Sequence, residues 1–221
     1  MKPSTRLITV SLALAALLPA MHGCAVGALV GGMAESYNRT RTKTIPAQYI
    51  GLEGKSYAVV IAADRIIQAE FPNLTAVLTD RINTRLATFA GASGFIPTQT
   101  TLAYLLNRPS WVSMPLGELA DELGVDRLVY IDLYEFRLHA PGNSYLWDGV
   151  AAGTVAIIEA DGYAPDEFAF EREITMKFPD TDGYGPGDLD RNLVSSVLVA
   201  RFVDRSSWLF YEHEEPYYPD Y

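Results

Sequence analysis

The chain has one cysteine, Cys24, in 221 residues, so no disulfide can form within a single copy. Histidine is nearly as scarce, with His22, His139 and His213 far apart in sequence. Neither a GxSxG elbow nor an HExxH spacing is present. Paired carboxylates could in principle do glycosidase work. Asp132 and Glu135 stand at the right end of a strand for it, but solvated or cross-paired charge is the plainer reading. Basic residues are in the minority, 17 Lys and Arg against 27 Asp and Glu, for a net charge of −10. That balance argues against nucleic acid as a partner and against flat adsorption on anionic lipid. No internal repeat is evident, and no metal or cofactor is expected.

What is present begins at the N-terminus. Lys2 and Arg6 precede an apolar run from Leu7 to Leu18, interrupted by Thr9 and Ser11 and ended by Pro19. The run is short for a bilayer span. A charged start, an apolar middle and small residues before a cut form the layout of a secretory signal peptide. The segment Met21–Cys24, "MHGC", resembles the bacterial lipobox, in which a lipid-modified cysteine becomes the first mature residue. Gly23 fits the small position before the cut, while Met21 stands where Leu is usual. The resemblance implies a signal peptide over 1–23 and acylation of Cys24, which would attach the protein to a membrane. A thiol consumed by acylation would leave no Cys–His pair. Ala25, rather than Asp, after the cysteine favours the outer membrane, facing the periplasm. Three other readings stay open: ordinary cleavage after Ala25, an uncleaved membrane helix over Leu7–Met33, and a Cys24 that is incidental. Removal of 1–23 leaves 198 residues with a formal charge of −12.

Residues 24–54 read as a tether. Arg39, Arg41 and Lys43 alternate with polar residues in "NRTRTKT", the one basic cluster of the chain, placed to meet lipid phosphates or lipopolysaccharide if they do more than solvate a linker.

From residue 55 to 221 the pattern predicts a single α/β domain, a sandwich with a mixed sheet of about five strands and helices on its faces. Ser56–Ala62 is a short apolar run typical of a buried strand. Leu74, Leu78, Ile82, Leu86 and Phe89 share one helical face, with Val77 beside them, and Thr79 and Asn83 fall elsewhere on the wheel. A brief extended piece at Phe95–Ile96 precedes a helix ending before Pro109. Ser113 is a candidate cap for a helix over Leu116–Leu123, which Gly124 can close in the left-handed conformation. Leu128–Leu133 is apolar enough for a strand covered on both faces. Val150–Ala160 is another strand, and "EFAFEREITMKF" alternates, with Phe168, Phe170, Ile174, Met176 and Phe178 on one side. A long helix is predicted from about Leu189 to Phe210, and its apolar residues, Leu193 and Val197 among them, cover more than one face.

The stretch "ELADELGVDRLVYIDL" resembles the helix–glycine–strand segment of a group of bacterial envelope lipoproteins. The group includes the curli-secretion lipoprotein, activators of peptidoglycan synthases, an exopolysaccharide-export lipoprotein and the N-terminal domain of the Tol-system propeller protein. Leu123, Gly124, Asp126 and Leu128–Ile131 carry the resemblance, and Asp132 stands near the place where several members have glycine. The resemblance implies a lipid-anchored, noncatalytic accessory domain that binds an envelope protein or assembles with copies of itself.

Two aromatic groups are candidates for that contact. Tyr145 and Trp147 lie in "GNSYLWDG", where they can anchor a partner, stack on a sugar or fold back on the core. The C-terminal run "WLFYEHEEPYYPDY" carries Trp208, Tyr217, Tyr218 and Tyr221, too aromatic for a solvated tail. "DTDGYGPGDLDR" matches a calcium loop at Asp180, Asp182 and Gly185, but Arg191 stands where a bidentate Glu is needed. A turn leading into a capping Asp is the reading adopted.

Overall fold

The computed structural model describes residues 42–216. They fall into two compact units. The smaller contains residues 42–44 and 214–216; the larger runs over Ile45–His213. Strand β1 (Thr42–Ile45) and the C-terminal strand (His213–Pro216) pair as a two-stranded ribbon.

The larger unit follows the predicted order. Strand β2 (Ser56–Ala63) leads into α1 (Arg65–Glu70) and α2 (Leu74–Phe89). The two-residue strand β3 (Gly94–Phe95), α3 (Thr98–Asn107), a 3-10 turn (Pro109–Ser113) and α4 (Leu116–Leu123) come next. Three eleven-residue strands follow, β4 (Arg127–Arg137), β5 (Gly149–Glu159) and β6 (Phe168–Phe178). Helix α5 (Arg191–Ser207) precedes the last strand, β7. The sheet order is β3-β2-β4-β5-β6, with β2 parallel to β3 and β4, and the β4–β5 and β5–β6 pairs antiparallel.

One face of the sheet holds the main core. Tyr57, Val59 and Ile61 of β2, Val129, Ile131 and Leu133 of β4, and Val155 and Ile157 of β5 meet Leu78, Ile82 and Leu86 of α2 and Leu198 and Phe202 of α5. Helix α5 packs against β5, β6 and α2 together, so its apolar residues serve more than the sheet. Gly153 admits the Phe202 ring, because a Cβ there would lie 2.7 Å from the Asp132 carbonyl and 3.2 Å from that ring. On the second face, Ala58, Val60, Leu128 and Ile158 pack under Leu105 of α3 and Leu119 and Ala120 of α4.

Local chemistry explains the boundaries. Asp64 caps α1 by accepting from the Ile67 N–H. Gly124 ends α4 at φ 70°, ψ 39°, which a side chain would resist. The position before α4 is Pro115, not Ser113, which closes the 3-10 turn instead.

Several expectations change in detail. The segment before β2 packs within the larger unit: Leu52 is fully buried, and the Gln48 and Tyr49 amides both donate to the Leu209 carbonyl. Thr79 and Asn83 are buried, not solvent-facing. The Thr79 hydroxyl donates to the Thr75 carbonyl, and the Asn83 amide donates to Ile96 and Thr98. Phe89 is 56% exposed despite its place on the apolar face, and Val77 and Leu193 are exposed too. Phe168 lies on the opposite face from Phe170. The pairing of Ile157 with Phe170 and of Ile158 with Phe168 is a bulge at Ala169, and the extra residue turns Phe168 over.

Candidate functional site

The predicted contact residues are distributed unevenly. Cys24, Arg39, Arg41, Tyr217, Tyr218 and Tyr221 lie outside the described residues. Lys43 belongs to β1 and is half-buried, part of a strand rather than of a free linker. Tyr145 is 83% exposed, whereas Trp147 is buried at 5%. The Trp147 ring N–H donates to the Leu189 carbonyl at 3.0 Å, and His139 stacks on the ring with centroids 4.3 Å apart. Of the two loop aromatics, then, only Tyr145 is presented to solvent, and Trp147 is a core residue. Trp208 is half-buried, stacked on His213 at 4.5 Å with Arg205 over its ring. Leu209, Phe210 and Tyr211 are buried in the main core, so the run 208–211 docks on its own domain.

Acidic candidates are held by neighbours. Glu135 pairs with Arg137 at 2.6 Å, while Asp132 is exposed. Asp180 takes both guanidinium nitrogens of Arg201, whose hydrogen bonds hold its carboxyl below the ordinary range against the opposing effect of burial. Arg191 pairs with Glu70 and stacks over Phe71, and Asp190 caps α5 through the Asn192 N–H. The calcium-like loop is therefore a turn into a capped helix. Among the described residues no group of three or more His, Cys, Asp or Glu is placed to hold a metal, and no helix is long and apolar enough to cross a membrane.

One electrostatic centre escaped the sequence reading. Arg127, 7% exposed, pairs with Asp161, lies 3.7 Å from Glu159 and donates to the carbonyls of Gly51 and Asp126. The Tyr49 hydroxyl donates to Glu159 at 2.6 Å, and Lys55 pairs with Asp161. Burial, then the Glu159 contact, push the Tyr49 phenol well above its ordinary range. Hydrogen bonds from Lys55 and then Arg127 hold the Asp161 carboxyl below its ordinary value. Asp126 is lowered by the backbone N–H and then the hydroxyl of Ser56. This network fastens the segment before β2 to the start of β4 and the end of β5. Its members are spread over residues 49–161, and only the fold brings them together.

The remaining candidate is the part of the sheet that no helix covers. On the second face, Tyr134 and Phe168 are 42% and 45% exposed, and the Phe168 ring stacks with Tyr130, centroids 6.5 Å apart. The Tyr134 hydroxyl donates to Glu173 at 2.5 Å. Glu171, Thr175 and Lys177 stand beside them on β6, all exposed. β6 is the last strand of the sheet, and among the described residues no strand pairs with its outer side. Grooves lie elsewhere. One of about 460 Å³ between α2 and α5 is lined by Phe71, Val77, Arg81, Arg191 and Val199. Another, of about 410 Å³, is lined by Ile50, Phe89, Phe210 and Tyr211.

No protein-family model matches the chain, and no curated protein matches it in sequence. Among solved structures it is similar to a single-substitution variant of the PelC dodecamer from Paraburkholderia phytofirmans, at 14% identity over 77% of this chain and 98% of that one, with a TM-score of 0.44. It is also similar to lipoprotein GNA1162 from Neisseria meningitidis, at 13% identity over 68% of this chain and 96% of that one, TM-score 0.45. A third is protein XCC0632 from Xanthomonas campestris, at 12% identity over 76% and 90%, TM-score 0.41. Likeness at this level decides neither family nor function.

Proposed function

We propose that the chain is a lipid-anchored, noncatalytic module of a bacterial cell envelope that acts by binding protein. The observation that carries this reading is the position of the sole cysteine. Cys24 follows a charged start, an apolar run and Gly23, in a segment that resembles a lipobox. Acylation gives the thiol a role in a chain that offers it no disulfide partner, and several acyl chains hold where one would be marginal. The acidic balance keeps the domain off anionic surfaces, so the lipid rather than the protein surface makes the membrane contact. Ala25, rather than Asp, after the cysteine supports outer-membrane attachment facing the periplasm in an organism that sorts lipoproteins by that residue. The folded unit is an accessory domain in which Glu135, Asp161 and Asp180 are held in ion pairs and Asp190 in a helix cap, and whose free features are an uncovered sheet face and edge.

The test is the intact mass of protein extracted from membranes, with Cys24→Ala alongside. The expected mass is that of the chain from Cys24 plus acyl groups, with the acyl mass lost in the variant. An unmodified mass beginning at Val26 or at Met1 would overturn the anchor.

A further inference from the structure

We infer that the outer edge of β6 is the pairing edge of a symmetric dimer, in which two copies join their five-stranded sheets through antiparallel β6 strands. The inference names the partner in the protein-binding reading as a second copy of this chain, and rests on that reading for its role but not on the lipid.

A strand at the end of a sheet presents unpaired N–H and C=O groups, which proteins blunt with short strands, bulges, proline or charge. β6 is eleven residues long, and its one bulge is at Ala169, near its start. From Phe170 to Phe178 the register against β5 is regular for nine residues, with no proline and one lysine. Its charges are Glu171, Arg172, Glu173 and Lys177, and the Lys177 carbonyl accepts from the Arg201 guanidinium; up to that carbonyl the edge is a template for a further strand.

The side chains then select both the partner and the register. In an antiparallel pair of identical strands with Ile174 opposite its own copy, Glu171 faces Lys177 and Glu173 faces Thr175. On the other surface Phe170 faces Phe178 and Arg172 faces Met176. The two-fold repeats every contact, giving two opposite-charge cross-strand pairs and two aromatic pairs. Phe170, Met176 and Phe178 are half-buried in the single copy, so the pairing covers apolar surface that the fold leaves open. Among the described residues neither Glu171 nor Lys177 has an ion-pair partner, which leaves both charges available. Neighbouring registers are worse. With Glu173 on the axis, two like charges meet. One step the other way, Lys177 faces Glu173, but Phe178 faces Arg172 and the Phe170–Phe178 pairs are lost. Arg172 is engaged with Gln48.

Sedimentation of the full detergent-extracted protein across a concentration series tests this, using the wild type, Glu171→Lys, Lys177→Glu and an equimolar mixture of the two variants. The wild type is expected to dimerise. Each single variant places like charges opposite one another twice and is expected to weaken self-association about tenfold. In the mixture every pair is again of opposite sign, so the two variants are expected to associate with each other. Both residues are exposed, and an unchanged thermal midpoint checks that folding is intact. A wild type that stays monomeric throughout overturns the pairing, whether the edge is free or covered by residues 24–41 or 217–221. Single variants that dimerise like the wild type, or a mixture that fails to recover, overturn the register. A dimer without acyl mass would sink the anchor alone, and an acylated monomer would sink the pairing alone.

Discussion

The two faces of the sheet are finished to different degrees. The first carries α1, α2, α5, the segment 45–55 and the run 208–211, and its cluster extends from Leu52 to Tyr211 through β2, β4, β5 and β6. The second carries α3 and α4 over β2 and the start of β4, with Ile158 the one β5 residue in its buried cluster and none from β6. Beyond that cover stand Asp132, Tyr134, Glu171, Glu173, Thr175 and Lys177, all exposed. A strand sequence that alternates is built for such one-sided cover. The continuous cluster is where the stability of the unit is concentrated, and the bare half is the surface left for other work.

The comparison can be broken most strongly on the covered face. Phe202 is fully buried between β5 and α2, and Phe202→Ala is expected to cost about 4 kcal/mol in urea unfolding. Leu119, also fully buried but in the smaller cluster under α4, is expected to cost about 3 kcal/mol as Leu119→Ala, a value read from the same titration. If the order reverses, the second face is the main store of stability. Arg127→Met keeps the stem and removes the charge, leaving Glu159 and Asp161 without their buried partner. Both carboxylates are about a third exposed, so the expected loss is about 2 kcal/mol rather than the larger figure for fully buried pairs.

Ser56→Ala removes the hydroxyl's hydrogen bond to the Asp126 carboxylate and the one it accepts from the Asp126 N–H, and is expected to cost about 1 kcal/mol at neutral pH. Because the folded carboxyl is held below its unfolded value, the carboxylate part of this contribution is complete above the unfolded pKa and is lost as pH falls through the folded one. The gap between wild type and variant should therefore narrow on the acid side, below about pH 4. The smallest effect is expected at Tyr145, whose exposed ring can be truncated to alanine with about 0.5 kcal/mol or less lost. Trp147→Ala, two residues on, is expected to cost several times more and serves as its control.

Much of the architecture was legible because it is periodic. The 74–78–82–86 spacing marked α2, the "LG" step marked the end of α4, and the apolar runs marked β2, β4 and β5. Features that depend on register or convergence were not legible. An alternating pattern counts residues, so one bulge at Ala169 was enough to misplace Phe168. Helix α1 is six residues long, too short for a period to show. Tyr49, Ile50 and Leu52 stand together in "AQYIGLEG", and nothing local says that Leu52 is buried and Tyr49 half-buried while Ile50 is exposed. The Arg127 network gathers residues up to 112 positions apart, from Tyr49 to Asp161, and leaves no motif. "GNSYLWDG" announced a turn with two rings but not which of them the core would take.

The opposite end of the sheet bears on how far association can go. β3 contributes two residues, Ser56 pairing with Gly94 and Tyr57 with Phe95, and then the chain leaves for α3. A protein that could add strands at both margins would string copies into an open fibre. With one margin this short among the described residues, copies pairing through β6 as proposed would have no second long edge to offer, and growth would stop at a closed pair.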